Sequence, residues 1–384
     1  MKWSYLLFII VFALAYGSLN LLIGIRGWQF VSTLVPHSLA WVYWLAFWII
    51  ALSYIIGRLG SSILPAGIST RLTVLGSYWM AIMYYLVIIL LFMTIIKAFD
   101  HRIGFLPAFM KDPHPLGFGV VLLVGGILTY GSWNAHHPRV TSYDIAVPKS
   151  GGKSSELHIV AVSDIHLGNI VHNGRLHHMV EMVNALNPDL VLLPGDVIDE
   201  SIKPFLEQKM SDTLSRLDTR YGTYAVLGNH EYIGGNVEAT VHHLQEAGVK
   251  VLRDRAVLVE DDFYVVGRDE SMSRHMSRGS RQGVEELLAG VDRSKPIILM
   301  DHQPVNLGEA ERNGVDLQVS GHTHLGQIFP NHLITRRLFA IDYGHLQKGN
   351  FHAIVSSGYG TWGPPIRIGN TPEIVDIRIR FTGN

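Results

Sequence analysis

Long uncharged runs of apolar residues dominate the first third of the chain. Residues 3–25, 38–57 and 72–96 contain no Asp, Glu, Lys or Arg, and a fourth run, richer in glycine, lies at 116–134. A helix needs about 20 apolar residues to cross the hydrocarbon core of a bilayer. The pattern therefore predicts a transmembrane region with four helices within residues 1–135.

The first apolar run has one alternative interpretation, a cleaved signal peptide. Ala13-Leu14-Ala15 fits the small-x-small pattern of a cleavage site. However, the uncharged run continues to Ile25, which is longer than the apolar core of a typical signal peptide. The length of the run favours a retained membrane helix.

The charges around the spans bear on topology and on function. Basic residues near the span ends are equally numerous on the two sides, and Lys2, directly before the first span, favours a cytoplasmic catalytic domain. We therefore predict a multi-pass protein of the inner or plasma membrane. Transporters usually keep ionisable residues inside their bundles, so the uncharged spans indicate an anchor in the lipid bilayer.

Short apolar runs, each followed by polar residues, characterise the chain from residue 156 to residue 384. Continuous runs of Val, Ile and Leu are typical of buried strands. The stretches 173–186 and 236–247 between these runs are predicted to be helical. This alternation predicts a layered α/β domain over 156–384. The intervening segment 136–155, rich in Pro and Gly, is predicted to be a linker or an edge strand.

Composition narrows the chemistry of this domain. The chain has 384 residues, a net charge of −1 and 16% charged residues, so charge gives no indication of a nucleic-acid partner. It has no Cys, which excludes disulfides and thiolate metal sites. Of its 20 His, all but His37 lie beyond residue 100. Any metal site must therefore use His, Asp, Glu and Asn.

Polar residues that follow five of the predicted strands form a candidate metal-ligand set. They are Asp164 and His166, Asp196 and Asp199, Asn229 and His230, His302, and His322 and His324. Loops at the carboxyl ends of strands face one edge of a sheet, so residues distant in sequence can converge there. In an extended segment, side chains at i and i+2 point the same way, which pairs Asp164 with His166 and His322 with His324.

Oxygen and imidazole ligands without sulfur suit Mn, Fe or Zn. The set is large enough for two divalent metal ions that share one carboxylate, and two such ions can polarise a phosphoryl group and activate water. Glycines at 195, 228 and 321 are expected to relieve crowding where the backbone approaches the metals.

The five motif blocks, in this order, resemble the calcineurin-like metallophosphoesterase superfamily over about residues 156–380, and in particular its bacterial membrane-attached subgroup. SDIHLG, LGNHE, GHTHLGQ and the late GYGTWGPPIRIG carry the resemblance to the subgroup. The resemblance implies an α/β (α+β) domain built as a two-sheet β-sandwich flanked by helices. It also implies a metal-dependent phosphoesterase.

The resemblance further implies residue roles. Asp164, His166 and His324 would bind the first metal, Asp196 would bridge, and Asn229, His302 and His322 would bind the second. His230 would protonate the leaving oxygen or stabilise charge beside the phosphate. Asp199 would orient the His230 ring, as carboxylates commonly do for catalytic imidazoles.

The nature of the substrate stays open at this stage. Membrane attachment favours a phosphodiester or pyrophosphate in a lipid-linked substrate, and more distant relatives include lipid-linked UDP-diacylglucosamine pyrophosphohydrolases. A tethered enzyme acting on a soluble phosphate ester is the first alternative. A catalytically silent membrane sensor is the second, although such a protein would be expected to have lost ligands, and none is missing here.

Several other residues have open interpretations. The segment 268–281, with Arg268, Arg274, Arg278 and Arg281, is either a basic flap over an anionic substrate or a solvated loop. Glu231 is expected to be a solvent or loop partner. Trp362 and Arg367, in the late glycine-rich loop, either line the site or pack.

Overall fold

The computed structural model describes residues 3–271 and 281–383. It divides into two compact units. The first contains Met1–Ser132 and Gly363–Pro365, and the second contains Trp133–Trp362 and Ile366–Asn384.

The first unit consists of helices whose apolar residues are mostly exposed. All four helices are long and apolar enough to cross a membrane, which confirms the prediction of four apolar helices. α3 continues well beyond the predicted uncharged run and ends in a charged turn that includes His101 and Arg102. The helices are α1 (Trp3–Val31), α2 (Ala40–Leu59), α3 (Ala66–Ile103) and α4 (Pro113–Ala135).

Close packing of α2 against α3 depends on small residues. A Cβ at Gly76 would lie 2.1 Å from the Tyr54 backbone nitrogen, so the two helix backbones approach each other at this glycine. Nearby, the Ser69 hydroxyl donates to the Gly57 carbonyl at 2.8 Å. Small residues and interhelical hydrogen bonds are the usual means of association where lipid removes the hydrophobic driving force.

The second unit is a sandwich of two sheets, as predicted. Within the described residues, the first sheet has the strand order β1-β12-β2-β3-β4-β5 and the second has the order β10-β11-β9-β8-β7-β6. The central strands of both sheets are parallel. The strands are β1 (Arg139–Val147), β2 (Glu156–Ala161), β3 (Leu190–Pro194), β4 (Thr223–Val226), β5 (Val249–Val251), β6 (Arg255–Val259), β7 (Phe263–Gly267), β8 (Ile297–Met300), β9 (Leu317–Ser320), β10 (Gly344–Lys348), β11 (Phe351–Val355) and β12 (Glu373–Phe381).

Apolar side chains from both sheets fill the interior of the sandwich. Ile159 and Leu192 of the first sheet share one buried cluster with Val265 and Met300 of the second. Burial of a side chain of this size stabilises the fold by about 1.5–3 kcal/mol. This packing keeps the two sheets in a fixed register and holds the ends of their parallel strands together.

Helices cover the outer faces of the sheets. Leu176, Met179 and Val183 of α5 pack with Val160 and Val191 of the first sheet, as the helical spacing of this segment predicts. The described helices of this unit are α5 (Asn173–Ala185), α6 (Lys203–Glu207), α7 (Met210–Leu214), α8 (Asn229–Ile233), α9 (Val237–Glu246), α10 (Val284–Leu287), α11 (Leu307–Arg312) and α12 (His332–Leu338).

The segment 136–155, assigned above as a linker or an edge strand, forms the edge strand. Residues 139–147 are β1, which pairs in parallel with β12 along its whole length. Only Ile145 and Val147 in this strand are buried, as expected for an edge strand with one protected end. Of the two interpretations, the structure has the edge strand, because a partner strand more than 230 residues away incorporates this segment into the sheet.

Candidate metal centre

The candidate ligands lie in loops that leave the carboxyl ends of five parallel strands. β2 leads to Asp164 and His166, and β3 leads to Asp196. α8 begins at Asn229 directly after β4. In the second sheet, His302 follows β8, and His322 and His324 follow β9. The structure brings all seven side chains together at one edge of the sandwich.

The first group of donor atoms consists of Asp164, His166 and His324. The Nε2 atoms of His166 and His324 are 3.1 Å apart, and His324 Nε2 lies 3.4 Å from Asp164 Oδ1. All three residues are buried. Their donor atoms lie within 4.8 Å of one another, a spacing at which one cation can be held.

The second group consists of Asp196, Asn229, His302 and His322. His302 Nε2 lies 3.2 Å from Asp196 Oδ2 and 3.2 Å from Asn229 Oδ1. His322 Nδ1 lies 2.9 Å from the same Asn229 oxygen. Asp196 Oδ2 also lies 3.9 Å from His166 Nε2 of the first group. This carboxylate therefore stands between the two groups.

The donor chemistry of these groups fits bound cations. His302 Nδ1 lies 2.9 Å from the Pro194 carbonyl, so Nδ1 donates there and Nε2 carries the lone pair in the neutral ring. That lone pair faces two oxygen acceptors, and a positive charge between them removes the repulsion. Nitrogen and oxygen donors without sulfur suit Mn, Fe or Zn.

The backbone of the ligand loops departs from the extended form expected from the i, i+2 spacing. Asp164, His166, Asp196, His322 and His324 all have φ between 48° and 71°. Non-glycine residues rarely adopt this left-handed region, and each residue held there destabilises the fold by about 1–3 kcal/mol. The paired side chains converge through these turns, and His322 and His324 point to different donor groups. Strain of this kind is typical of functional sites.

Glycine is needed at all three predicted positions, and at Gly195 a Cβ would lie 2.5 Å from His302 Nδ1. A Cβ at Gly228 would lie 2.2 Å from Asp196 Oδ1, and a Cβ at Gly321 would lie 2.1 Å from Asp164 Oδ2. Any side chain at the latter two positions would displace a carboxylate of the cluster.

His230 lies at the rim of the cluster with its ring fixed by a carboxylate. Its Nδ1 is 3.0 Å from Asp199 Oδ1, and its backbone N–H donates to Asp196 Oδ1 at 2.9 Å. Burial opposes protonation of the ring, but the hydrogen bond to Asp199 and the charges of Asp196 and Asp199 outweigh it and raise the pKa of His230 to about 9. The ring therefore carries a proton at neutral pH in the metal-free protein.

Glu231 is a structural partner of the ligand loops. It is buried and accepts hydrogen bonds from the Ile198 and Gly228 N–H groups at 2.9 and 2.8 Å. Burial and the nearby charge of Asp196 raise its pKa to about 7. Of the two expectations for Glu231, the loop partner is correct and the solvent-exposed residue is wrong.

Arg367 is a fully buried cation behind the first donor group. Its guanidinium donates to the carbonyls of Ser357, Gly358 and Gly360 at 2.7, 3.0 and 2.6 Å. Its Nη2 lies 3.2 Å from His324 Nδ1. Burial lowers its pKa to about 9. Sequence reasoning left the role of this residue open, because its partners are backbone carbonyls that no side-chain pattern marks.

The hypothesis of a basic flap at 268–281 is wrong for the two arginines that are described. Arg268 and Arg281 are buried, and both form ion pairs with Asp301, the residue before His302. They brace the loop that carries His302, because a buried carboxylate needs such partners. Arg274 and Arg278 lie outside the described residues.

Comparison of the sequence with known proteins identifies a matching family and several relatives. Residues 157–326 match the family model of the calcineurin-like phosphoesterases. A protein of Aquifex aeolicus named an uncharacterized metallophosphoesterase is 33% identical over 268 residues, which cover 69% of this chain and 99% of that protein.

Some relatives also combine this domain with a membrane region. A Danio rerio protein named a transmembrane protein with metallophosphoesterase domain is 32% identical over 274 residues, which cover 68% of this chain and 62% of that protein. A Helicobacter pylori protein named an uncharacterized metallophosphoesterase is 30% identical over 282 residues, which cover 72% of this chain and 74% of that protein. The chain thus spans less than two thirds of the length of the Danio rerio protein.

Proposed function

We propose that this chain, which belongs to the calcineurin-like metallophosphoesterase family, uses two divalent cations held by seven side chains for its metal-dependent phosphoester hydrolysis. Asp164, His166 and His324 would hold one cation. Asn229, His302 and His322 would hold the other, and Asp196 would be shared. The position of Asp196 Oδ2, 3.2 Å from His302 Nε2 and 3.9 Å from His166 Nε2, is the observation that carries this proposal.

The two cations, when bound, would supply Lewis acidity toward the phosphoryl oxygens and a nucleophile derived from water. Mn, Fe and Zn fit the donor set equally well. The chain itself contributes the geometry, since Gly228 and Gly321 allow the ligand loops to cross and Arg367 braces the loop beside His324.

The proton required by the leaving oxygen would come from His230. Its Nδ1 is engaged by Asp199, so Nε2 is the atom that would donate. In the metal-free protein, burial opposes protonation of this ring, but the hydrogen bond to Asp199 and the charges of Asp196 and Asp199 raise the pKa of His230 to about 9, which supports its role as a proton donor. General acid catalysis of this kind contributes about 10²–10⁴-fold to the rate. Asp199 would act by orienting the ring and stabilising its charge.

The substrate would be a phosphodiester or pyrophosphate in a lipid-linked molecule. The chain is a membrane protein, and its relatives include transmembrane proteins. Two aromatic side chains beside the centre support an apolar substrate. Trp362 is 52% exposed with its ring centroid 6.2 Å from that of His230, and the Phe339 ring lies 6.1 Å from that of His322.

The proposed topology is a multi-pass protein of the plasma or inner membrane with a cytoplasmic catalytic domain. Four candidate spans and the position of Lys2 support it. With an even number of spans, both ends of the chain lie on one side.

The substitution Asp196→Asn tests the dinuclear proposal. We expect turnover of bis(p-nitrophenyl) phosphate with Mn²⁺ to fall about 10³-fold, because several kcal/mol of metal-dependent stabilisation are removed. The full-length protein in detergent is the sample, and metal content is measured on the same preparation. Asp212→Asn, a change at an exposed position on α7, is the control and keeps full activity. Equal turnover in Asp196→Asn and the unmodified protein would contradict the proposal.

Lipid analysis of cells that lack the protein tests the substrate class. We expect a lipid phosphodiester or pyrophosphate to accumulate. Accumulation of a water-soluble phosphate ester alone would instead favour the tethered enzyme with a soluble substrate.

A further inference from the structure

The segment from Phe329 to Leu338 carries large apolar side chains on an exposed surface of the catalytic unit. Phe329, Leu333, Ile334 and Leu338 are 50, 56, 58 and 71% exposed, and α12 has no buried residue. A patch of such side chains commonly marks an interaction site with protein or membrane.

A hydrogen bond and a ring stack hold this segment in place. Thr335 Oγ1 donates to Asp342 Oδ2 at 2.6 Å. The His332 ring stacks on Phe329 with ring centroids 5.3 Å apart. The leucines and the isoleucine of α12 are exposed and take no part in these two contacts, so their presence needs another explanation.

Two arginines accompany the apolar side chains. At 3.6 residues per turn, Leu333, Arg337, Ile334 and Leu338 share one side of α12, and Arg336 flanks it. Both arginines are exposed, and neither forms an ion pair with any residue for which the structure gives a placement. A basic and apolar helix face is typical of helices that lie in the membrane interface, where long basic side chains reach the headgroups.

This surface is continuous with the metal centre. α12 begins eight residues after His324, and Phe339, directly after the helix, contacts the ring of His322. A membrane seated on α12 would therefore lie near the donor group that contains His322.

We propose that Phe329, Leu333, Ile334 and Leu338, together with Arg336 and Arg337, form a membrane-contact surface that lies at the headgroup–acyl boundary of an anionic bilayer. This docking surface deepens the proposed function, since it would deliver a lipid-linked phosphate to the metal centre, although its own test needs no turnover. A bilayer is favoured over a protein because the chain carries its own spans and passes from α4 to β1 in three residues.

The absence of cysteine from the chain allows a direct test with one environment-sensitive fluorophore per molecule. Leu338→Cys in the full-length protein is labelled with a nitrobenzoxadiazole probe and placed in nanodiscs of phosphatidylcholine and phosphatidylglycerol. We expect emission at shorter wavelength, strong quenching by lipids with spin-labelled acyl chains, and weak quenching by iodide. Leu258→Cys on β6, where Leu258 is 39% exposed, is the matched control. Its label should emit at longer wavelength, with weak quenching by spin-labelled lipids and strong quenching by iodide.

Besides an iodide-accessible label at position 338, two results would overturn the membrane-contact surface. One is equal lipid quenching at the two positions. The other is a label at position 338 that is shielded from iodide but not quenched by lipid, because a second copy or another protein then covers the helix. Hydrolysis of bis(p-nitrophenyl) phosphate by both labelled variants, assayed in detergent, reports separately on the catalytic proposal. Normal turnover with an iodide-accessible label at 338 rejects the membrane contact alone.

Discussion

Substitution of Gly360 by Ala should damage the metal centre from outside the ligand set. Gly360 lies in the loop after β11, where its N–H donates to the Asp164 carbonyl at 2.8 Å. A Cβ at this position would lie 2.0 Å from the Ile165 carbonyl oxygen and 2.8 Å from that of Asp164. Gly360 has no positive φ, so the expected effect is steric alone.

The size of the effect follows from the contact distances. Ordinary contact begins at 3.4 Å, so the two loops must separate by about 1.4 Å to admit the methyl group. Ile165 lies between Asp164 and His166, and both proposed ligands would move with it. A misplacement of about 1 Å costs on the order of 10²-fold in rate. Turnover of bis(p-nitrophenyl) phosphate should therefore fall about 100-fold, with loss of metal from the first donor group.

Gly308→Ala is the matched control. Its Cβ would first meet the end of the flexible Arg312 side chain at 3.2 Å, and alanine stabilises a helix by about 1 kcal/mol over glycine. Metal content, turnover and thermal unfolding are measured on both variants. A Gly360→Ala protein that retains two metals and full turnover would refute the steric reasoning. A Gly360→Ala protein that is folded but metal-depleted would support it.

Three further predictions concern residues around the centre and the sandwich. Arg367→Lys keeps the charge but loses the forked donors, so the free energy of unfolding, followed by thermal denaturation, should fall by about 3 kcal/mol; an unchanged value would contradict the bracing role. His230→Gln should keep both metals and lose about 10²–10⁴-fold in kcat, with the larger loss for alkyl than for p-nitrophenyl esters, because only the poor leaving group needs a proton. Burial lowers the pKa of His352 on β11 and of His345 on β10, and the adjacent His345 lowers the pKa of His352 further. This lowering stabilises the fold above pH about 6.5 and the stabilisation is lost as pH falls, so His352→Gln should flatten the acid side of the Tm–pH curve.

Much of the catalytic unit was predictable because its strands are buried on both faces. The runs before Asp164 and Asp196 are mainly Val, Ile, Leu and Ala, and such short apolar runs are typical of buried strands. Polar residues directly after such runs must lie at the strand ends, so their convergence follows from topology. The helices at 173–185 and 237–246 were equally clear from their spacing.

The features that sequence reasoning missed depend on long-range partners or on backbone conformation. Sequence reasoning left 136–155 open between a linker and an edge strand, because pairing with the distant β12 decides between them. The burial of Arg268 likewise depends on distant partners, Asp301 and Glu309, which are 33 and 41 residues later. The left-handed φ angles at Asp164 and His166 leave no trace in the residue pattern, since Asp and His occur in many conformations. Leu333 and Ile334 of α12 resemble core residues in sequence, and only their exposure distinguishes them.

The central claim is that side chains from two sheets hold two cations around one shared carboxylate, and anomalous X-ray diffraction from crystals of the manganese-loaded protein tests it most directly. We predict two anomalous peaks about 3.5–4 Å apart, the separation typical of two-metal hydrolases, with Asp196 Oδ2 between them. One peak would lie beside His166 and His324, and the other beside His302 and His322. A single peak, or peaks away from Asp196, would contradict the account.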